Sequence, residues 1–112
     1  MLPAAARLRR REEFTDVVRR GRRASRGPLT CHLAPGDATP CPQVGFVIGK
    51  VVGPAVVRNR LRRRLRHLLR ARLATLPPGT RLVVRARPGA GELDSAALGS
   101  LLDAALAKLA AA

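Results

Sequence analysis

The chain has 112 residues, 46% of them hydrophobic, and a formal net charge of +15 at pH 7. This length suits one small domain, 1–112, and the charge favours a polyanionic partner. No stretch is long and apolar enough for a signal peptide or a membrane span, and a sequence without Trp or Tyr is poorly suited to a membrane surface, so we expect no membrane partner.

The two cysteines and the type of basic residue narrow the choice further. Cys31 and Cys41 are too few for a disulfide framework or a metal site, and we interpret them as free thiols of a reducing cytoplasm. All basic residues except Lys50 and Lys108 are arginines, which suit bidentate contacts to phosphate and stacking on bases. No acidic residue occurs between positions 38 and 91. The composition therefore favours nucleic acid as the polyanion.

The N-terminal part predicts an arm followed by a helix. Residues 1–10 are expected to form a flexible basic arm. A helix is predicted over residues 11–20, because Glu12 and Glu13 suit the first turn of a helix and Gly21 is a natural stop. Phe14 of this helix has two interpretations, a core residue or a platform on which a base stacks.

Two strands are predicted next, over residues 28–33 and 43–50, with a turn-rich loop over residues 35–42 between them. In the second strand, Val44, Phe46 and Ile48 alternate with small residues. The small residues form a face that another chain could approach closely.

The longest predicted element is an arginine-rich helix of about 22 residues that starts at Pro54. Four leucines form one apolar stripe along it. These are Leu61, Leu65, Leu68 and Leu69. Polar residues are expected on the side facing away from the stripe. These are Asn59, Arg62, Arg63, Arg66 and Arg70.

Like charges one turn apart destabilise an isolated helix by roughly a few tenths of a kcal/mol per pair. A bound polyanion would relieve that cost, so one interpretation of the arginine row is a binding surface for a polyanion. The alternative interpretation is a solvated helix surface that binds no partner.

A strand over residues 82–84, a turn over residues 89–91 and a last helix capped by Asp94 or Ser95 complete the prediction. Three helices with a small mixed sheet and a strand–helix–strand crossover make an α+β domain. His32 and His67 have no neighbour at a spacing typical of a catalytic dyad or a metal site, and we expect no catalytic or metal-binding residue in the chain.

The arginine-rich helix also carries a recognisable motif. Residues 53–66 read Gly-x-Ala-Val-x-Arg-Asn-Arg-Leu-Arg-Arg-x-Leu-Arg, preceded by Val44-Gly45-Phe46 and Lys50. This pattern resembles the signature of the bacterial ribonuclease P protein family. Phe14-x-x-Val17-x-x-x-Gly21 resembles the first helix of that family, and residues 83–88 resemble its later strand. The resemblance covers about residues 7 to 109.

The resemblance implies a compact α+β fold with a left-handed strand–helix–strand crossover, against the usual hand. It implies a protein subunit of a cytoplasmic endoribonuclease, which binds one catalytic RNA and the 5′ leader of precursor tRNA to assist leader removal. The RNA partner would carry the chemistry, with Mg²⁺ bound mainly by RNA activating the attacking water. No organic cofactor is implied.

The resemblance also implies two binding sites. The residues that would bind the RNA subunit are Arg58, Asn59, Arg60, Arg62, Arg63, Arg66 and Arg70. The residues that would line a leader-binding cleft between the first helix and the sheet are Phe14, Val17, Cys31, Val47, Gly49 and Lys50.

This cleft departs from the family pattern. Cys31 stands where an aromatic residue is frequent, and Val47, Gly49 and Val51 stand where small polar residues and a second lysine are frequent. We therefore expect leader binding to depend on shape and phosphate charge more than on stacking. A ribosomal or other structural RNA-binding protein is the alternative. A DNA-packaging protein is disfavoured because no DNA-reading module is recognisable.

Overall fold

The described part of the chain, residues 2–36 and 41–111 of a computed structural model, forms three helices and one four-stranded mixed sheet. The helices are α1 (Arg11–Arg20), α2 (Ala55–Arg72) and α3 (Ser95–Ala111). The strands are β1 (Arg22–Arg26), β2 (Leu29–Pro35), β3 (Gln43–Ile48) and β4 (Thr80–Ala86). The predicted α+β class is confirmed. Residues 37–40 of the predicted loop lie outside the described residues.

The last strand in the sequence occupies an inner position of the sheet, whose order is β1-β2-β4-β3. β4 pairs antiparallel with β2 and parallel with β3, and β1 and β2 form an antiparallel hairpin. The predicted strand–helix–strand crossover therefore joins β3 to its neighbour β4 through α2. The left hand of that crossover stays a prediction.

Helices pack on both faces of the sheet because its strands alternate apolar side chains between the two faces. α2 and α3 cover one face and enclose the main core. Its largest fully buried side chains include Leu29, Leu61, Leu65, Leu69, Leu82, Leu98, Leu102 and Leu109. α1 covers part of the other face, where Val17 packs with Leu8, Ala34 and Val83. The remainder of that face stays open.

Several element boundaries differ from the prediction. β1 was not predicted, because an edge strand with only Ala24 fully buried carries no alternating apolar pattern. Pro54 precedes the first residue of α2, and the helix ends at Arg72 with a short 3₁₀ turn, Leu73–Thr75, after it. Asp94 caps α3, since its Oδ1 accepts a hydrogen bond of 2.8 Å from the backbone N–H of Ala97.

The prediction of a flexible arm over residues 1–10 is wrong for the described residues. Leu2, Ala6 and Leu8 are buried, with exposed fractions of 2%, 0% and 7%. The backbone N–H of Leu8 donates to the carbonyl of Val44 at 3.0 Å, and Arg7 forms a parallel β-bridge with Val44. The segment therefore covers part of the β3 edge, which would otherwise expose unpaired backbone groups.

Glu13 connects this segment to the first helix and to the sheet. Its Oε1 accepts hydrogen bonds from the backbone N–H groups of Arg10 (3.0 Å) and Arg9 (3.3 Å), and its Oε2 accepts one from Arg81 Nη2 (3.2 Å). The hydrogen bond from Arg10, followed by that from Arg9 and the charge of Arg81, lowers the pKa of Glu13 despite partial burial. The ionised carboxylate thus holds α1 against β4.

We expect Glu13→Gln to lower the free energy of unfolding by about 1–2 kcal/mol at pH 7, because hydrogen bonds to a charged acceptor are stronger than those to an amide. Folding lowers the pKa of Glu13, so its contribution is present above the ordinary value of 4.5 and is lost as the pH falls through the folded-state pKa. Urea unfolding at pH 7 and at acid pH measures both effects. The exposed Glu12→Gln is the matched control, and a Glu13→Gln effect that does not shrink in acid would contradict the interpretation.

Candidate nucleic-acid interface

The outer surface of α2 presents charge to solvent. Leu61, Leu65 and Leu69 are buried in the main core, and this fixes which side of the helix faces outward. Asn59, Arg63, His67 and Arg70 are exposed on that outer side. Over residues 2–36 and 41–111, no carboxylate forms an ion pair with Arg63 or Arg70. These guanidinium groups are therefore open to a phosphate.

Arg62 and Arg66 lie at one flank of α2 and are half-buried. We predicted that they face directly away from the leucines, and this is wrong: they line a cavity shared with the N-terminal segment and β3. Arg62 Nη1 donates to Asn59 Oδ1 at 3.4 Å. Burial, and then the charges of Arg7 and Arg62, lower the pKa of Arg66.

Other arginines of α2 donate to backbone carbonyls of the protein itself. Arg58 Nε donates to the carbonyl of Gly53 (3.1 Å) and Arg60 Nη2 to that of Gly91 (3.2 Å). Arg64 Nη1 donates to the carbonyl of Leu93 at 2.8 Å. Arg60 and Arg64 thus attach the segment before α3 to α2. The resemblance implies that Arg60 binds the RNA subunit, but its Nη2 is already engaged in this internal hydrogen bond.

A second surface lies on the α1 side of the sheet. The ring of Phe14 lies on Gly45, and a Cβ atom at that position would collide with the ring. Phe14 is half-buried, Val47 is 38% exposed, and Gly49 and Lys50 are exposed. These four residues are accessible, as a cleft requires. The assignment of Val17 to this cleft is wrong, because Val17 lies on the inner side of α1, is fully buried and cannot contact a ligand there.

The assignment of Cys31 to this cleft is wrong. Its side chain is fully buried in the main core, on the face covered by α2 and α3, and burial raises the pKa of the thiol to about 12. Successive residues of a strand point to opposite faces, so a shift of one position exchanges the core side for the cleft side. The side chains of β2 on the cleft side are Thr30, His32 and Ala34.

A row of polar side chains on the cleft side of the sheet, formed by Ser25, Thr30 and Arg85, was not predicted from the sequence. Arg85 is exposed and pairs in register with Thr30 of β2 and Val47 of β3. Thr30 Oγ1 lies 3.0 Å from Oγ of Ser25, its partner in β1. The line from Ser25 to Val47 therefore crosses all four strands of the sheet, a distance of about 14 Å. The strand register was the signal that could have identified this row, once β1 was recognised.

His32 lies beside this row and is 2% exposed. Neither ring nitrogen has a hydrogen-bond partner among the described residues. Burial, and then the charges of Arg85 and Arg23, lower the pKa of His32, which favours the neutral imidazole. The position of His32 within β2 confirms the prediction that it is a strand residue, and its burial keeps the imidazole from a ligand in the cleft.

The three helices, over the residues that the structure describes, lack the length and apolarity that a bilayer requires. In the same part of the chain, no group of three His, Cys, Asp or Glu side chains is placed to hold a metal ion. What the two surfaces supply is fixed positive charge, hydrogen-bond donors and one aromatic ring. This arrangement suits a phosphate backbone with unpaired bases.

Comparisons with known proteins agree with this chemistry. A family model described as Ribonuclease P matches residues 2–110. The chain is 56% identical over 117 residues to the ribonuclease P protein component of Streptomyces avermitilis, covering 97% of this chain and 95% of that protein. It is 44% identical over 113 residues to the corresponding protein of Mycobacterium avium, again covering 97% and 95%.

The fold is also similar to solved structures. The RNase P protein of Staphylococcus aureus matches with a TM-score of 0.83 at 19% identity, covering 93% of this chain and 96% of that one. The RNase P protein of Thermotoga maritima matches with a TM-score of 0.77 at 24% identity, covering 92% and 94%. This chain therefore belongs to the bacterial ribonuclease P protein family, whose members are the protein component of the endoribonuclease RNase P and work with an RNA partner.

Proposed function

We propose that this protein binds the catalytic RNA of RNase P through the outer surface of α2, in a complex of one protein with one RNA in the cytoplasm. The observation that carries the proposal is the set of exposed guanidinium groups without carboxylate partners in the described residues, held outward by buried leucines. Phosphates of a folded RNA would supply the missing negative charge. Family membership favours this reading over a ribosomal or a DNA-packaging protein.

The cleft on the α1 side of the sheet is proposed to hold the 5′ leader of precursor tRNA as a single strand. Phe14 would stack on one base, and the small residues Val47 and Gly49 would let the strand approach the sheet. Lys50 and Arg85 are exposed cations at this surface and would contact leader phosphates. Only one aromatic ring is available, so phosphate charge and shape would contribute most of the affinity.

We propose that Mg²⁺ is held mainly by the RNA. Three carboxylates of the described residues pair with arginines: Glu13 with Arg81, Asp16 with Arg20 and Asp103 with Arg72. An RNA-bound Mg²⁺ would supply an activated water for hydrolysis of the phosphodiester. The protein's own part is electrostatic and geometric, since it neutralises phosphates where leader and RNA subunit converge and so raises the affinity for substrate and metal.

We expect Arg63→Ala and Arg70→Ala each to lower the slope of log affinity for the RNA subunit against log salt by up to about 0.7–0.9. Both side chains are exposed, so the free energy of unfolding should stay within about 0.5 kcal/mol of the wild type. Filter binding over a salt series and urea unfolding measure the two quantities.

Arg64→Ala is the matched control, because it removes the same charge from the same helix but breaks the bond to Leu93. It should lower stability by about 1 kcal/mol and leave most of the salt slope in place. A slope lowered as much by Arg64→Ala as by Arg63→Ala would argue against the outer surface as the contact.

We expect Phe14→Leu to weaken the binding of precursor tRNA more than that of mature tRNA, by about fivefold or more, because stacking on an aromatic ring contributes about 1–3 kcal/mol per base. Binding of both tRNAs to the reconstituted holoenzyme measures the ratio. Cys31→Ala, on the opposite face of the sheet, should lower stability without changing that ratio. If Phe14→Leu lowers stability alone, Phe14 is a core residue.

Reconstitution tests the proposed function as a whole. The cognate RNA should cleave precursor tRNA at a lower Mg²⁺ concentration with this protein than without it, because fewer phosphates then compete for the ion. Cleavage rates over a Mg²⁺ series provide the measurement. Two superimposable Mg²⁺ profiles would contradict the proposal.

A further inference from the structure

A pocket with a volume of about 390 Å³ lies between the second half of α3, the 3₁₀ turn after α2 and the end of the β1–β2 hairpin. It is on the face of the sheet that α2 and α3 cover, opposite the leader cleft. None of its described lining residues is among those assigned to RNA above. Small-molecule sites typically have volumes of about 300–1,000 Å³. The size of this pocket therefore suits a small molecule rather than a folded macromolecule.

Most of the pocket wall is apolar. The apolar lining residues are Leu33, Leu76, Pro77, Leu106, Ala107 and Ala110. Leu33 and Leu76 belong to the main core and are each 7% exposed, whereas Leu106 is half-buried. These side chains therefore keep some contact with water. An apolar group that displaces this water would gain free energy by burying its own surface together with theirs.

Two charged residues of the wall neutralise each other. Arg72 Nε and Nη2 donate to the two carboxylate oxygens of Asp103 at 2.7 and 3.2 Å, and Arg72 Nη1 donates to the carbonyl of Leu68 at 2.9 Å. The hydrogen bonds between the two side chains raise the pKa of Arg72 and lower that of Asp103. The pair thus holds the end of α2 against α3 and brings no net charge to the pocket.

Arg22 is the remaining charged residue among the described lining residues. Its side chain is exposed, and over residues 2–36 and 41–111 no carboxylate forms an ion pair with it. Arg22 pairs in register with Leu33, so a cation stands directly beside the apolar wall. A guanidinium group in this position can donate charge-assisted hydrogen bonds to an anionic group. The pocket therefore combines an apolar surface with one available positive charge.

We propose that this pocket binds a small amphipathic anion, a molecule with an apolar body and a single carboxylate, sulfonate or phosphate group. The body would cover Leu33, Leu76 and Leu106, and the anionic group would bind Arg22. The net charge of +15 disfavours a cationic ligand, and the apolar wall disfavours a wholly polar anion. Binding at this site does not depend on RNA, so its failure would leave the proposed function untouched.

Anilinonaphthalene sulfonate is the probe for the first test, because its fluorescence rises in an apolar site and the chain has no Trp or Tyr that would add a background. Elevated salt screens binding to exposed arginines alone. Under these conditions we expect saturable binding of one probe molecule per chain. The absence of saturable binding would overturn the proposal.

Competition against this probe tests the chemical class of the ligand. Decanoate should displace the probe, whereas decanol should do so about tenfold less well, because it lacks the charge that Arg22 would bind. Adenosine monophosphate, an anion with a more polar body, should not displace the probe. Displacement by decanol as effective as by decanoate, or displacement by adenosine monophosphate but not by decanoate, would overturn the proposal.

Arg22→Gln tests the position of the anionic group. It should weaken the binding of decanoate about tenfold and remove the preference for decanoate over decanol. Arg23→Gln is the matched control, because Arg23 is the next residue of β1, is exposed and points to the opposite face of the sheet. Equal decanoate affinities in the two variants would show that Arg22 does not bind the anionic group, contrary to the proposal.

Ala107→Leu tests the position of the apolar body. The larger side chain should occupy part of the pocket and weaken binding of decanoate and of the probe about tenfold or more. Ala104→Leu is the matched control, since Ala104 is exposed on the same helix but does not line the pocket. Leucine suits an exposed helical position, so both variants should keep the thermal midpoint of the wild type within a few degrees. If Ala107→Leu binds decanoate as well as Ala104→Leu does, the ligand lies elsewhere and the proposal is refuted.

Discussion

The orientation of α2 about its own axis is the constraint on which the outer cationic surface of this helix and the cavity lined by Arg62 and Arg66 both depend. Burial of a leucine contributes about 1.5–3 kcal/mol, whereas repulsion between arginines one turn apart costs a few tenths of a kcal/mol per pair. Three fully buried leucines, Leu61, Leu65 and Leu69, therefore determine which side of the helix faces the core. The arginines have to accept the positions that this packing leaves to them.

The arginines of α2 therefore fall into three groups with different surroundings. Arg63 and Arg70 reach solvent, Arg62 and Arg66 enclose a cavity, and Arg64 supports the segment that leads into α3. The net charge of +15 is thus a poor measure of the charge that a ligand meets. Whether a guanidinium group is available depends on the nearest carbonyl or carboxylate, which composition does not report.

The α+β class, the bounds of α1 and the leucine stripe of α2 could be predicted from the sequence, because each depends on a local pattern of apolar spacing or capping. The position of Arg7 could not, since it depends on Leu2 and Leu8 finding buried places against residues some 36 positions away. Neither could the side of the sheet that Cys31 faces. In a strand buried on both faces, consecutive apolar residues carry no alternation that reveals which one points to the cleft.

The inner position of β4 has a consequence for synthesis on the ribosome. β2 and β3 are separated in the sheet by a strand that follows α2 in the sequence, so they cannot be joined before residues 80–86 have emerged. Until then α2 has no complete sheet on which to bury its leucines, and a nascent chain exposes both its apolar and its cationic sides. Long-range pairing of this kind is slow, and it leaves hydrophobic surface transiently accessible. The arginine-rich α2 therefore remains exposed until β4 has paired and has completed the sheet on which α2 packs.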